Sequence, residues 1–127
     1  MRLISFAMTK PQILAQTKTV TRRTGWATLR AGTLLQPVDR VMGFRAPQKP
    51  KHLGPPIRVV SVRRERLDAI TAEDVEREGM PGVSPQEFVS VFCRAMRMRC
   101  LPSQIVTRIE FGYLEPRDAG IKEMGTQ

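Results

Sequence analysis

A chain of 127 residues with 41% apolar content supports one modest core and is too short for two independent folding units. Its net charge of +9 favours phosphate-rich or otherwise anionic partners through long-range attraction. No apolar run has the length of a signal-peptide core or a membrane span, and Cys93, Cys100 and the lone His52 offer no plausible zinc set, so free thiols in a reducing cytoplasm are expected, with no metal and no cofactor.

The opening RLISFAM is an apolar run that predicts a buried first strand. TKPQILAQT predicts a short helix with Thr9 as N-cap, proline in the first turn, and Ile13 and Leu14 facing inward. The threonine and valine of TKTVTRRTGW predict a strand over residues 17–23 that runs into a loop at Gly25. Lys18, Arg22 and Arg23 can be buried there only with partners, and the strip itself supplies no carboxylate. LRAGTLLQPV predicts a turn at Gly32 and strand material at Leu34, Leu35 and Val38, with Pro37 placing that strand at an edge or a bulge. FRAPQKPKHLGPP reads as an exposed, semi-stiff basic loop.

IRVVSVRRERL alternates, with Ile57, Val59 and Ser61 on one face, before a solvated run of charge. ITAEDVEREGM begins with Thr71 three residues before Asp74, carries acidic residues in its first turn, and predicts a helix ending at Gly79. VSPQEFVSVFCRAMRMR repeats that grammar with Ser84 as N-cap, Pro85 at the first helical position and Glu87 at the third. Phe88, Val91, Phe92, Ala95 and Met96 then form a stripe at helical spacing, which reads as core, with Cys93 packing as a small hydrophobe. QIVTRIEFGYL predicts the closing strand, and the residues after it lack periodicity.

Charge is unevenly spread. Residues 1–68 carry 14 Lys and Arg against 3 Asp and Glu, while residues 69–127 carry 7 against 9. One positive face on a near-neutral scaffold is the expectation.

In this order and spacing, TKTVTRR after a first helix, LRAGTLL, IRVVSVRR leading into LDAITAEDVEREGM, the FVSVF helix and a final VTRIEFGYL resemble the ASCH family over roughly residues 3–114. The resemblance implies an α+β fold, a PUA-like mixed β-barrel with flanking helices, as one domain over residues 1–114 with a flexible tail at 115–127. It also implies a cleft facing the Lys-Thr strip and a relation to RNA or nucleobases. One group of small bacterial ASCH proteins removes acyl groups from acylated cytidine, using a lysine, a threonine three residues later, and a glutamate in an E-x-M context. Lys18, Thr21 and Glu78 match that pattern. The longer basic, Pro-rich insertion departs from those enzymes.

Amide hydrolysis asks for an activated oxygen nucleophile, a base and an acid for the leaving amine. Thr21 suits the first role, Lys18 the second if desolvation and nearby arginines depress its pKa, and Glu78 the third, with Arg22 or Arg23 at the oxyanion. On a regular strand Lys18 and Thr21 point to opposite faces, so a bend is required or Lys18 must act from the strand's extreme start. The competing expectation is an RNA- or nucleotide-binding cleft of nucleobase size, with phosphate contacts from Arg22, Arg23, Arg45, Lys49, Lys51, Arg63 and Arg64. Trp26 is either a stacking platform for a base or a packing residue at the barrel rim. The same charge would serve an interaction module for an acidic protein.

Overall fold

Apolar alternation produces strands where the sequence shows it. In the computed structural model, which describes residues 1–41, 49–96 and 100–115, the opening run forms β1 (Arg2–Ser5), followed by the short helix α1 (Lys10–Leu14). β2 (Val20–Arg23) and β3 (Leu34–Val38) come next, then the long β4 (Ile57–Arg66). A 3-10 turn (Leu67–Ala69) leads to α2 (Ala72–Arg77), α3 (Pro85–Ala95) and β5 (Ile105–Tyr113). Thr71 and Ser84 both act as N-caps, their hydroxyls accepting from the amides of Asp74 and Glu87, and each relieves an orphan donor of its helix. Thr9 stands at the N-cap of α1 without a side-chain cap bond, and Leu14 is exposed where an inward position was expected.

The strands form one five-stranded sheet in the order β1-β3-β4-β5-β2, with β1 and β3 parallel and the remaining pairs antiparallel. The fold is therefore α+β, but the expected barrel is open: β1 and β2 are the two edges and share no ladder. Side chains cross that seam instead. Arg23 donates from Nη2 to the Ser5 carbonyl at 2.5 Å, and the Arg2 guanidinium sits 3.6 Å from the centre of the Trp26 ring. Side-chain contacts thus stand where the two edges lack a backbone ladder.

Pro37 lies in an interior strand, against the expectation of an edge. β3 pairs with β4 only at Leu34 and Leu35, so beyond that point the missing proline N–H costs no ladder bond. There the chain returns alongside, with Leu53 donating to the Pro37 carbonyl at 2.9 Å and Val38 bridging to His52. Leu53 is consequently a core residue within the segment expected to be an exposed loop, while Lys49 and Lys51 do face solvent. In β4 a register shift between Val59 and Ser61 makes Val60 an exposed extra residue and brings Val62 against the core.

One apolar cluster joins Ile4, Phe6, Ile13, Leu35, Ile57, Val59, Ile109 and Phe111, and a second joins Leu67, Ile70, Val75, Phe88 and Val106 beneath α2 and α3. Each such burial contributes roughly 1.5–3 kcal/mol before entropy is charged against it. Cys93 and Cys100 pack against the second cluster and pair with each other as a disulfide, which corrects the expectation of free thiols. Among the described residues no helix is long and apolar enough to cross a membrane. Arg45 and nearly all of the expected tail lie outside the described residues.

Candidate functional site

The carboxylates that the 17–26 strip lacks arrive from α2 and β4. Lys18 precedes β2, so strand alternation does not govern it and it stands on the same wall as Thr21. Its backbone is pinned: the Tyr113 hydroxyl donates to the Lys18 carbonyl at 2.6 Å, and the next amide, Thr19, donates to the Arg77 carbonyl at 2.7 Å. The Lys18 ammonium donates to Glu78 Oε1 at 2.7 Å and to the Glu78 carbonyl at 2.8 Å, satisfying one of the orphan acceptors at the end of α2. Burial pushes the Lys18 pKa below the ordinary lysine value, with Glu78 opposing and the guanidinium groups of Arg23 and Arg22 assisting.

Glu78 caps α2 and is followed by Gly79 at φ +89°, a left-handed turn that glycine adopts without strain. A β-carbon at Gly79 would stand 2.8 Å from Cγ of Gln12 and 3.3 Å from Cβ of Lys18. Close approach of backbone to Lys18 is thus part of how the pair is built.

Arg22 is the hub of the charges. Its Nη1 donates to Glu78 Oε2 at 3.1 Å, and its Nη2 donates to Asp74 Oδ2 at 2.6 Å and Glu65 Oε2 at 3.0 Å. Asp74 also receives Arg108 through Nε at 2.6 Å and Nη2 at 3.0 Å, and Arg77 through Nη1 at 3.0 Å. Arg108 above all, then Arg22 and Arg77, hold the Asp74 carboxyl well below the usual carboxylate range in spite of its burial. The Arg22 side chain has no exposed surface, and its Nε is buried without an acceptor.

Arg23 differs from Arg22 in kind. Its Nε donates to Thr21 Oγ1 at 3.1 Å, its Nη2 to Ser5, and its guanidinium carbon lies 4.8 Å from the centre of the Phe6 ring. Desolvation brings its pKa down to about 10, against a weaker opposing pull from Glu78, and it is still a cation at neutral pH.

Lys18, Thr21, Arg22, Arg23 and Glu78 all line one cavity of about 340 Å³, at the lower end of the range for small-ligand sites. The rest of its lining is largely apolar: Phe88, Val91, Phe92 and Ala95 of α3, with Met8 and Met80, and Phe6 beside Arg23. The α3 stripe expected as core is therefore divided. Phe88 is buried in the second cluster and Phe92 packs against it, while Val91, Phe92 and Ala95 keep surface that lines the cavity. Helical spacing selects one face of a helix and does not say whether protein or ligand will cover it.

The other expected contacts lie elsewhere. Trp26 packs partly buried on the first cluster under Arg2 and does not line the cavity. Arg63 is exposed and pairs with Glu65 at 2.5 Å, and Arg64 donates to Thr107 Oγ1 at 2.7 Å. Lys49 and Lys51 are exposed. Asp74, Glu65 and Arg108 were not read as site residues in the sequence, although Asp74 and Glu78 stand four apart, a spacing that puts both carboxylates on one helix face.

No protein-family model and no curated protein matches the sequence. Solved structures that resemble the fold include the following two. Protein EF3133 from Enterococcus faecalis V583, described under the DUF984 family, superposes with a TM-score of 0.60 at 11% identity, covering 87% of this chain and 78% of its own. An ASCH domain from Lactobacillus crispatus JV V101 superposes with a TM-score of 0.56 at 14% identity, covering 87% of this chain and 77% of its own. With its open five-stranded sheet and the cavity between the sheet edges and α3, the chain has an ASCH-like fold.

Proposed function

We propose that the protein hydrolyses the amide of a small acylated amine of the acylated-cytidine type, with Thr21 as nucleophile, Lys18 as base, Glu78 as proton carrier and Arg23 as donor to the oxyanion. The observation that carries this reading is a lysine of depressed pKa, held by a glutamate, lining the same cavity as a threonine hydroxyl and an arginine with no ion pair among the described residues. The cytidine-type substrate is what the Lys-Thr-Glu pattern implies.

Neutral Lys18 takes the hydroxyl proton as Thr21 Oγ1 bonds to the acyl carbon, and the carbonyl electron pair moves onto oxygen, facing Arg23. Lys18 and Thr21 do not hydrogen-bond each other directly, so this proton crosses by one water or as the site tightens on substrate. The proton passes through Glu78 to the amine nitrogen, the C–N bond breaks, and an ester on Thr21 remains. Water then adds to that ester with Lys18 again as base, releasing a carboxylic acid and restoring Thr21.

Incubating the purified protein with a panel of N-acylated cytidines, with chromatographic detection of free cytidine, tests this. Turnover falling at least about 10²-fold in Thr21→Ala and in Lys18→Ala, with unchanged circular dichroism, is the expected result. No turnover across the panel would overturn it.

A second reading rests on the net charge of +9 together with exposed Lys49, Lys51 and Arg63. These side chains offer phosphate contacts for RNA, whereas buried Arg22 and covered Trp26 have no part in them. Filter binding to single-stranded RNA should then weaken steeply with salt, and affinity that is flat with salt or absent at low salt would remove this reading.

A further inference from the structure

Every carboxylate of the site is engaged. Glu78 holds Lys18 and Arg22, Asp74 holds Arg22, Arg77 and Arg108, and Glu65 holds Arg22 and Arg63. Arg23 has none of them. Its Nε and Nη2 donate to uncharged oxygens, and its Nη1 makes no hydrogen bond among the described residues. Glu78 acts on it only through space. A cation on the wall of a half-apolar cavity, with no counter-charge in contact among the described residues, is strongly complementary to an anion brought in by a ligand.

The apolar part of the lining determines the body that anion carries. Phe88, Val91, Phe92 and Ala95 present no side-chain hydrogen-bonding group, so a sugar or phosphate ester lying there would give up hydration without recompense. A hydrocarbon body gains by the same contact. The geometry points to a binding site for an apolar monocarboxylate, its carboxylate held by Arg23 and its hydrocarbon body lying along α3. The binding follows from the unpaired cation and the apolar wall alone; that the bound carboxylate is the acid released from Thr21 rests on the proposed hydrolysis. On that reading the enzyme retains its acid product, and acids with apolar chains inhibit it competitively.

Isothermal titration with hexanoate, hexanamide and acetate separates the contributions of charge and chain. Hexanoate is expected to bind at least about tenfold more tightly than either its neutral amide or acetate. In Arg23→Gln the acid and the amide should come within about threefold of each other. Because that variant can disturb the seam, methyl NMR on the unaltered protein gives an independent check: hexanoate should shift the signals of Val91 and Ala95. Equal affinity for acid and amide, acetate binding as tightly as hexanoate, or shifts confined to other residues would overturn the assignment. Acid binding without turnover of any acylated cytidine would overturn the proposed function and leave the site standing. Turnover without preference for the acid would do the reverse.

Discussion

Lys18 is useful as a base only if its ammonium gives up a proton more readily than an exposed lysine does, and its surroundings pull on that property in opposite senses. Burial and the arginines favour the neutral amine, while Glu78 favours the cation. Glu78→Gln removes the opposing pull, so the Lys18 pKa should fall further, read directly from the pH dependence of its side-chain NMR signals. A pKa that rises in that variant would show that Glu78 is not the charge Lys18 senses.

Asp74 works by a different logic, as the counter-charge for buried Arg22 and Arg108. Asp74→Asn should cost about 3–5 kcal/mol in denaturant unfolding, because the guanidinium groups stay buried while their partner is lost. The folded-state pKa of Asp74 lies below its unfolded value. Its contribution is therefore fully present above the unfolded pKa of about 3.9 and is lost as pH falls toward the folded value, so the gap between wild type and variant should narrow in acid. Which of the three strip cations would be consumed in this way could not be read from TKTVTRR. Arg22 and Arg23 are adjacent and chemically identical, and only the alternation of β2 against the separate positions of α2 and β1 sends one to carboxylates and the other to a carbonyl.

At the level of elements, local grammar carried far. Thr71 and Ser84 cap the helices they were expected to cap, and the alternation in IRVVSVRRERL does mark a long strand. Where local reading stopped, the cause was a partner distant in sequence. β5 is buried on both faces from Val106 to Ile109 because Val106 packs in the second cluster and Arg108 on Asp74 while Ile109 packs in the first, and Pro37 is tolerated because β4 has already parted from β3. The turn from α2 into the site is the most constrained of these junctions. Gly79→Ala should combine a left-handed backbone penalty with displacement of Gln12 and Lys18, costing about 1–3 kcal/mol. Thermal unfolding measures the cost, and an alanine tolerated without loss would mean that the turn relaxes independently of Lys18.

For the whole molecule, a large formal charge is a poor guide to where the working cations lie. Arg22 is sealed into ion pairs, and Trp26 lies between Arg2 and the core, so two features that looked suited to nucleic acid are engaged within the protein. The ASCH-like topology was legible from motif order, whereas closure of the sheet was not, since pattern says nothing about whether two edge strands come within bonding distance. Two clasps, Arg23 on Ser5 and Arg2 on Trp26, stand between the unpaired edges, and a seam held by side chains alone is expected to open more readily than the ladders beside it. Amides of β1 and β2 should take up deuterium ahead of those of β5, and a small molecule lodged behind the clasps should slow that uptake without altering the shape of the fold.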